Sequence, residues 1–248
     1  MEIWQILLLA AIGVLAGWLN VMAGGGSLLT VPVMLFMGIP GPVANGTNRI
    51  AILAQNITAV TAFRRRGFSD FRLSFSLSLA AAVGALGGAS VGVRLDGAWF
   101  DRVLAIIMIA VMILMATGHD KVKPVDGDGQ PKNLLLGHVL MVGAGFWGGF
   151  IQIGVGFILM PILHRVLGLD LVRVNMHKVF IVLVYTVIAL AVFASQLELL
   201  WWTGLALALG NSIGGWLGAH TTISHGEKLI RRVLYAALSA FIIKLLFF

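Results

Sequence analysis

Ala23 Gly24 Gly25 Gly26 Ser27 Leu28 Leu29 Thr30 Val31 Pro32 sets three consecutive glycines between two apolar segments. In hydrocarbon every backbone N–H and C=O needs a partner, so a helix is interrupted at membrane depth only where protein or a watery cavity supplies one. The triplet therefore predicts a helix broken around a binding site. A helix that restarts at Gly25 or Gly26 presents unpaired N–H groups and its positive dipole end, which suit an anion, and Ser27 adds a hydroxyl donor.

The membrane setting follows from composition. Hydrophobic residues make up 59% of the 248 and charged residues 11%, with a mean hydropathy of +0.99. Apolar runs of about 20 residues recur, the length that crosses roughly 30 Å of hydrocarbon. They do not alternate, so they predict helices and not a barrel. The first run has no basic leader and is followed by glycines in place of a cleavage site, so it is expected to be a mature helix and not a signal peptide. The chain has no cysteine, which removes disulfides and thiol chemistry. Its histidines, His119, His138, His164, His177, His220 and His225, lack metal-ligand spacing. No metal or other cofactor is expected. The formal charge of +7 is assigned to membrane topology and not to a nucleic-acid partner.

Apolar segments fall near 3–22, 26–38, 43–63, 73–93 and 100–117, and again near 134–153, 155–167, 174–194, 199–219 and 229–247. A polar, charged stretch separates the two sets. The expected organisation is a first membrane repeat over 1–118, a cytoplasmic linker over 119–133 and a second membrane repeat over 134–248. The second segment of each half is short. A helix over 26–38 rises only about 20 Å, so it cannot cross alone.

The halves match at an offset of 130: Gly24 and Gly26 with Gly154 and Gly156, Gly38 with Gly168, Asn45 with Asn175, and Arg102 with Arg232. If the segments alternate sides, loops on the inner side hold four, three, two and three basic residues, 12 of the 17, while the outer side holds Arg94, Arg102 and Lys244. That bias predicts a multi-pass chain with both termini outside, since an odd number of passes per half turns the second half over. The predicted fold class is thus all-α integral membrane: an inverted repeat of two five-segment halves, with a broken or re-entrant helix pair in each half.

Arg49 and Lys178 remain, inside or at the mouth of apolar segments, where a charge is costly unless paired or hydrated. All ten carboxylates fall in loops or at segment ends. A cation pore or carboxylate proton relay needs buried Asp or Glu; the interior positives call for a small anion. Asn45, Thr47 and Asn48 surround Arg49, and Asn175 and His177 accompany Lys178 at equivalent positions. Asn45, Asn48 and Arg49 share a helix face, which Ile52 and Asn56 continue. Gln152, Gly154 and Gly156 mark the second break. The candidate substrate site is therefore Gly24, Gly25, Gly26, Ser27, Asn45, Thr47, Asn48, Arg49, Gln152, Gly154, Gly156, Asn175, His177 and Lys178, with no catalytic or metal residues.

Plainer readings stand beside these. Gly84, Gly88 and Gly92, and likewise Gly210, Gly214 and Gly218, are spaced by four and form small faces for helix contact. Trp99, Trp201 and Trp202 suit the membrane interface. Arg49 can snorkel to water, Lys178 can sit at a segment mouth, and His177 can serve packing. An anion channel shares the proposed cage. An intramembrane hydrolase using Ser27 and a backbone oxyanion hole is a weaker alternative, because no histidine is marked as its base. Proton, sodium and uncoupled exchange are all permitted. Oligomeric state is left open.

The run Asn20 Val21 Met22 Ala23 Gly24 Gly25 Gly26 Ser27, continued by Pro32, Gly38 and Asn45 Gly46 Thr47 Asn48, resembles the sulfite exporter TauE/SafE family. A weaker copy spans Gly145 to Gly156, Pro161 and Asn175 to Lys178. The resemblance covers essentially the whole chain. It implies a bacterial inner-membrane permease for sulfite, organosulfonates or related carboxylates, and not an enzyme, without choosing among those substrates or a direction.

Overall fold

The structure of the protein, a computed structural model, describes residues 3–117 and 131–225, and these are helical with no strand among them. Most of the expected linker and all of the expected tenth segment lie outside the described residues. The order is α1 (Ile3–Ala23), α2 (Ser27–Phe36), α3 (Gly41–Arg65), α4 (Phe71–Gly92), α5 (Gly97–Thr117), α6 (Leu134–Phe150), α7 (Val155–Pro161) running into a π-helical turn (Ile162–Val166), α8 (Leu171–Gln196) and α9 (Trp201–His225).

Helix ends fall where the local chemistry demands them. Asp70 caps α4 by accepting from the Leu73 N–H, and Asp170 caps α8 by accepting from Val172 and Arg173. Pro42 lies in the first turn of α3, where its missing N–H costs nothing. Pro161 closes α7, and the chain widens at once into the π turn. With 10 residues, α2 rises about 15 Å, half of a hydrocarbon core. Among the described residues, three helices are long and apolar enough to cross a membrane by themselves: α1, α4 and α8.

Two close helix pairs frame the molecule. Helix α1 lies along α9, and α4 along α6. Glycines bring the backbones together: a Cβ on Gly210 or Gly214 would strike the Ala10 or Val14 carbonyl, and one on Gly13 would lie 2.7 Å from the Leu207 carbonyl. Gly84 and Gly88 meet α6, and Gly145 and Gly149 meet α4, in the same manner. The small-residue spacing is thus a packing device, as its period indicates. Helices α3 and α8 occupy the middle, α3 against α8 and α9, and α8 against α3 and α4.

This placement explains why α3 is the least apolar of the long helices. Its polar residues Asn45, Thr47, Asn48, Arg49, Gln55 and Asn56 are all buried, while outward surfaces carry Val83, Leu135, Trp202 and Leu209. A polar inside and an apolar outside invert the usual soluble pattern and match a lipid solvent.

Candidate functional site

The two chain breaks touch. After α1, Gly24 turns the backbone with φ +81, and before α7, Gln152 and Gly154 do so with φ 63 and 72. A Cβ on Gly24 would collide with the Cα of Gly156, and one on Gly156 with the Cα of Gly24. Only glycine at both positions permits this crossing. Gln152 is a non-glycine held in the left-handed region, an uncommon strain that persists where surroundings impose it. The Trp147 indole N–H braces that turn by donating to the Ile153 carbonyl at 3.0 Å.

Beside the crossing lies a small cavity. Its polar lining is Asn20, Ser27, Asn56, Gln152 and Lys178; Gly24 and Gly156 supply backbone, and Val155, Val179 and Val182 form an apolar wall. Only about 10 Å³ is open to a water centre, room for one water. The Lys178 ammonium donates to the Val21 carbonyl at 2.7 Å and to Asn175 Oδ1 at 2.6 Å. An ammonium has three N–H groups, so one is left for an occupant. Gln152 donates to Thr186 Oγ1 at 3.4 Å, and its Oε1 is buried without a partner. Ser27 Oγ accepts from Asn48, whose own oxygen accepts from Thr30 Oγ1 at 2.7 Å. Asn48 thus anchors the start of α2. The N–H groups of Gly25 and Gly26 meet no backbone carbonyl among the described residues.

Of the sequence-predicted residues, the cavity gathers Gly24, Ser27, Gln152, Gly156 and Lys178. Asn48 and Asn175 stand one hydrogen bond behind Ser27 and Lys178. Gly26 serves packing, since a Cβ there would strike the Ala16 carbonyl, and Gly154 starts α7. Thr47 lies elsewhere: its hydroxyl accepts from the Leu200 N–H at 3.2 Å. His177 also faces away, with Nδ1 2.7 Å from Ser74 Oγ.

Arg49 has a different employment from Lys178. Its Nη1 donates to the Gly148 carbonyl at 3.0 Å, its Nη2 donates to that of Gly149, and the guanidinium lies 4.5 Å from the Phe193 ring centre. Asn45 adds a bond to the Phe150 carbonyl at 2.9 Å. These are the last carbonyls of α6, the negative end of its dipole. On the other side Lys178 and Asn175 reach Val21 and Met22 at the end of α1. Helix α3 therefore caps α6, and α8 caps α1, reciprocally.

Sequence reasoning left out Asn20 and flagged Asn56 only as a continuation of the Asn48 face. Asn20 lies one helical turn before Gly24, which is the signal that puts it on the rim of the break. Asn20 also donates to Gln55 Oε1 at 3.2 Å, which Asn211 approaches at 3.3 Å. For Ser27 a histidine partner is missing among the described residues: His138, His164, His177 and His220 bond to Ser76, the Leu169 carbonyl, Ser74 and Arg66.

The placement of Arg49 yields a prediction. Arg49→Lys keeps the charge but replaces a planar fork with a point donor that reaches one carbonyl and cannot stack on Phe193. Loss of one charge-assisted bond lowers stability by about 1.5–3 kcal/mol. Thermal unfolding in detergent is expected to show that loss, with anion affinity changed less than threefold.

The chain as a whole is similar to known membrane proteins. The sequence profile described as sulfite exporter TauE/SafE matches residues 9–245. A probable membrane transporter protein, ORF9, of a Sinorhizobium species is 28% identical over 94% of this chain and 88% of its own length. A probable membrane transporter protein of Haemophilus influenzae is 26% identical over 90% and 88%, and the probable membrane transporter YfcA of Escherichia coli K12 is 25% identical over 95% and 87%. No solved structure matches the chain. With the profile running from the first helix into the last predicted segment, the chain belongs to the sulfite exporter TauE/SafE family of membrane transporters.

Proposed function

We propose that the protein is a permease that moves sulfite or a small organosulfonate across a bacterial inner membrane by alternating access, with the anion held beside Lys178 between the two breaks. The observation that carries this reading is a buried ammonium with a spare N–H in a cavity of amides and hydroxyl, with no described carboxylate in its lining. The five described carboxylates, Asp70, Asp96, Asp101, Asp170 and Glu198, are all exposed. Valines 155, 179 and 182 suit the short organic group of a sulfonate. An oxyanion is larger than the one water that fits, so it enters only when parts of the molecule move apart.

An inverted repeat supplies that motion in this proposal. Exchange of the halves turns the α1–α9 packing into α6–α4, the α3–α9 packing into α8–α4, and the α3 caps on α6 into the α8 caps on α1, and every one of these contacts is present. Such exchange symmetry supports two halves that rock about the Gly24–Gly156 crossing. The basic-residue bias supports both termini on the outer side. A cavity with room for one water favours alternating access over a continuous channel.

The test is a thermal-shift series with sulfite, sulfate, methanesulfonate and chloride, followed by counterflow in proteoliposomes. A true substrate at 100 times its Kd stabilises the protein by about 2.7 kcal/mol and exchanges across the bilayer without net current. A protein that no anion stabilises and that exchanges none is not this permease; steady anion current would make it a channel.

A further inference from the structure

We propose that His177 is a proton-binding site through which a proton moves with the anion, loaded from the α3–α4 turn by way of Ser74. The inference rests on the permease reading above.

Three observations carry it. First, Ser74 and His177 are both buried, at 2% and 0% exposure, and are joined by the 2.7 Å bond between Ser74 Oγ and His177 Nδ1. Second, Ser74 is the inner wall of a small pocket at the α3–α4 turn that also touches Arg64, Ser69 and the exposed Asp70. The pocket, whose other walls are apolar, thus brings the surface as far as Ser74, and the Ser74 hydroxyl reaches the ring. Third, His177 Nε2 is buried without a partner. Proteins seldom leave a buried ring nitrogen unmatched, and such atoms call for an explanation.

His177 immediately precedes Lys178, so the ring and the anion site are carried on the same turn of α8. A proton on the ring and an anion beside Lys178 offset one another in charge, and each favours the arrival of the other. The charged groups that act on the ring are Asp70 from α4, and Asp170 and Arg173 from the start of α8, the latter two paired at 3.4 Å. Arg64 of α3 stands at the pocket mouth. The donor set is one imidazole and one hydroxyl. A hard cation such as sodium prefers a shell of several oxygens, which this site does not offer.

Loading transfers one proton and nothing else. With hydrogen on Nε2, Nδ1 accepts from the Ser74 hydroxyl. A hydronium ion in the pocket gives its proton to Ser74 Oγ as the hydroxyl proton passes to Nδ1, leaving water, an intact serine and an imidazolium. Release runs the same transfer backwards, to water that reaches Ser74 once the site has opened to the other side of the membrane.

The experiment uses the full chain in proteoliposomes with methanesulfonate, an anion that stays fully ionised near neutral pH. Two quantities are read: counterflow under no gradient, and accumulation driven by an imposed pH gradient. The unmodified protein is expected to show both, with internal acidification tracking uptake. In His177→Gln the ratio of gradient-driven accumulation to counterflow falls at least tenfold. In Ser74→Ala, which keeps the ring and removes the relay, the driven rate falls severalfold while the final accumulation is retained. An unaltered ratio in His177→Gln overturns the proposal, as does accumulation driven by a sodium gradient in place of the proton gradient. Absence of counterflow by the unmodified protein with both methanesulfonate and sulfite overturns the permease reading and the coupling role with it.

Discussion

Gly156→Ala is expected to lower the stability of the protein by about 3 kcal/mol or more, at the upper end of overpacking effects, and to remove transport. The added methyl group lands on the Cα of Gly24, a backbone atom that cannot rotate away. Relief requires the two breaks to separate, which pulls Ser27 and Gln152 out of register with Lys178. A total stability of about 5–15 kcal/mol makes such a loss visible as a large fall in unfolding temperature. Gly143→Ala on the same stretch of chain is the matched control, because a Cβ there meets nothing within 4 Å. It lies inside α6, where alanine in place of glycine stabilises by about 0.5–1 kcal/mol. Opposite signs for two identical substitutions separate crowding from helix propensity; equal effects would refute the crossing.

Lys178→Gln is expected to leave stability within about 1 kcal/mol of the unmodified protein and to weaken anion binding by about 30-fold or more. The stability change is small because two effects oppose. The ammonium loses its bonds to the Val21 carbonyl and Asn175, each about 1.5–3 kcal/mol, while the desolvation of a buried charge, several kcal/mol, disappears. The anion has no such compensation. Deleting one partner of a desolvated charge pair costs about 2–5 kcal/mol, and 1.4 kcal/mol is tenfold in affinity. Anion-dependent thermal shift and counterflow measure it. A retained shift would place the anion somewhere else.

Most helices and the two breaks were legible in the sequence, because lipid imposes long apolar runs and glycine punctuates them. The predicted 26–38 and 155–167 are α2 and α7 with its π turn. Helix α9 runs to His225, beyond the predicted 219, since Ser, Thr and His continue a helix without an apolar signal. The site was legible in part. Arg49 and Lys178 carry the same signature, an interior cation with no acid nearby, yet Lys178 lines the cavity and Arg49 binds the end of α6. The difference lies in backbone carbonyls at interrupted helix ends, acceptors that no residue letter records. Thr47 and His177 fell into the candidate set through sequence adjacency, whereas adjacent helix positions point about 100° apart. Asn20 and Asn56 keep the helical spacing and reach the cavity.

The reciprocal capping has a consequence for how the chain is made. Arg49 is synthesised 99 residues before Gly148, so at about 5–20 residues per second its acceptors follow by roughly 5–20 s. During that interval an arginine inside α3 costs up to about 2.5–3.5 kcal/mol toward insertion. Lys178 faces no such delay, since Val21 emerged 157 residues earlier. The first half therefore completes its caps only once α6 has been made, whereas the second half docks onto a finished helix end. Assembly is asymmetric in time around a site whose contacts are reciprocal in space.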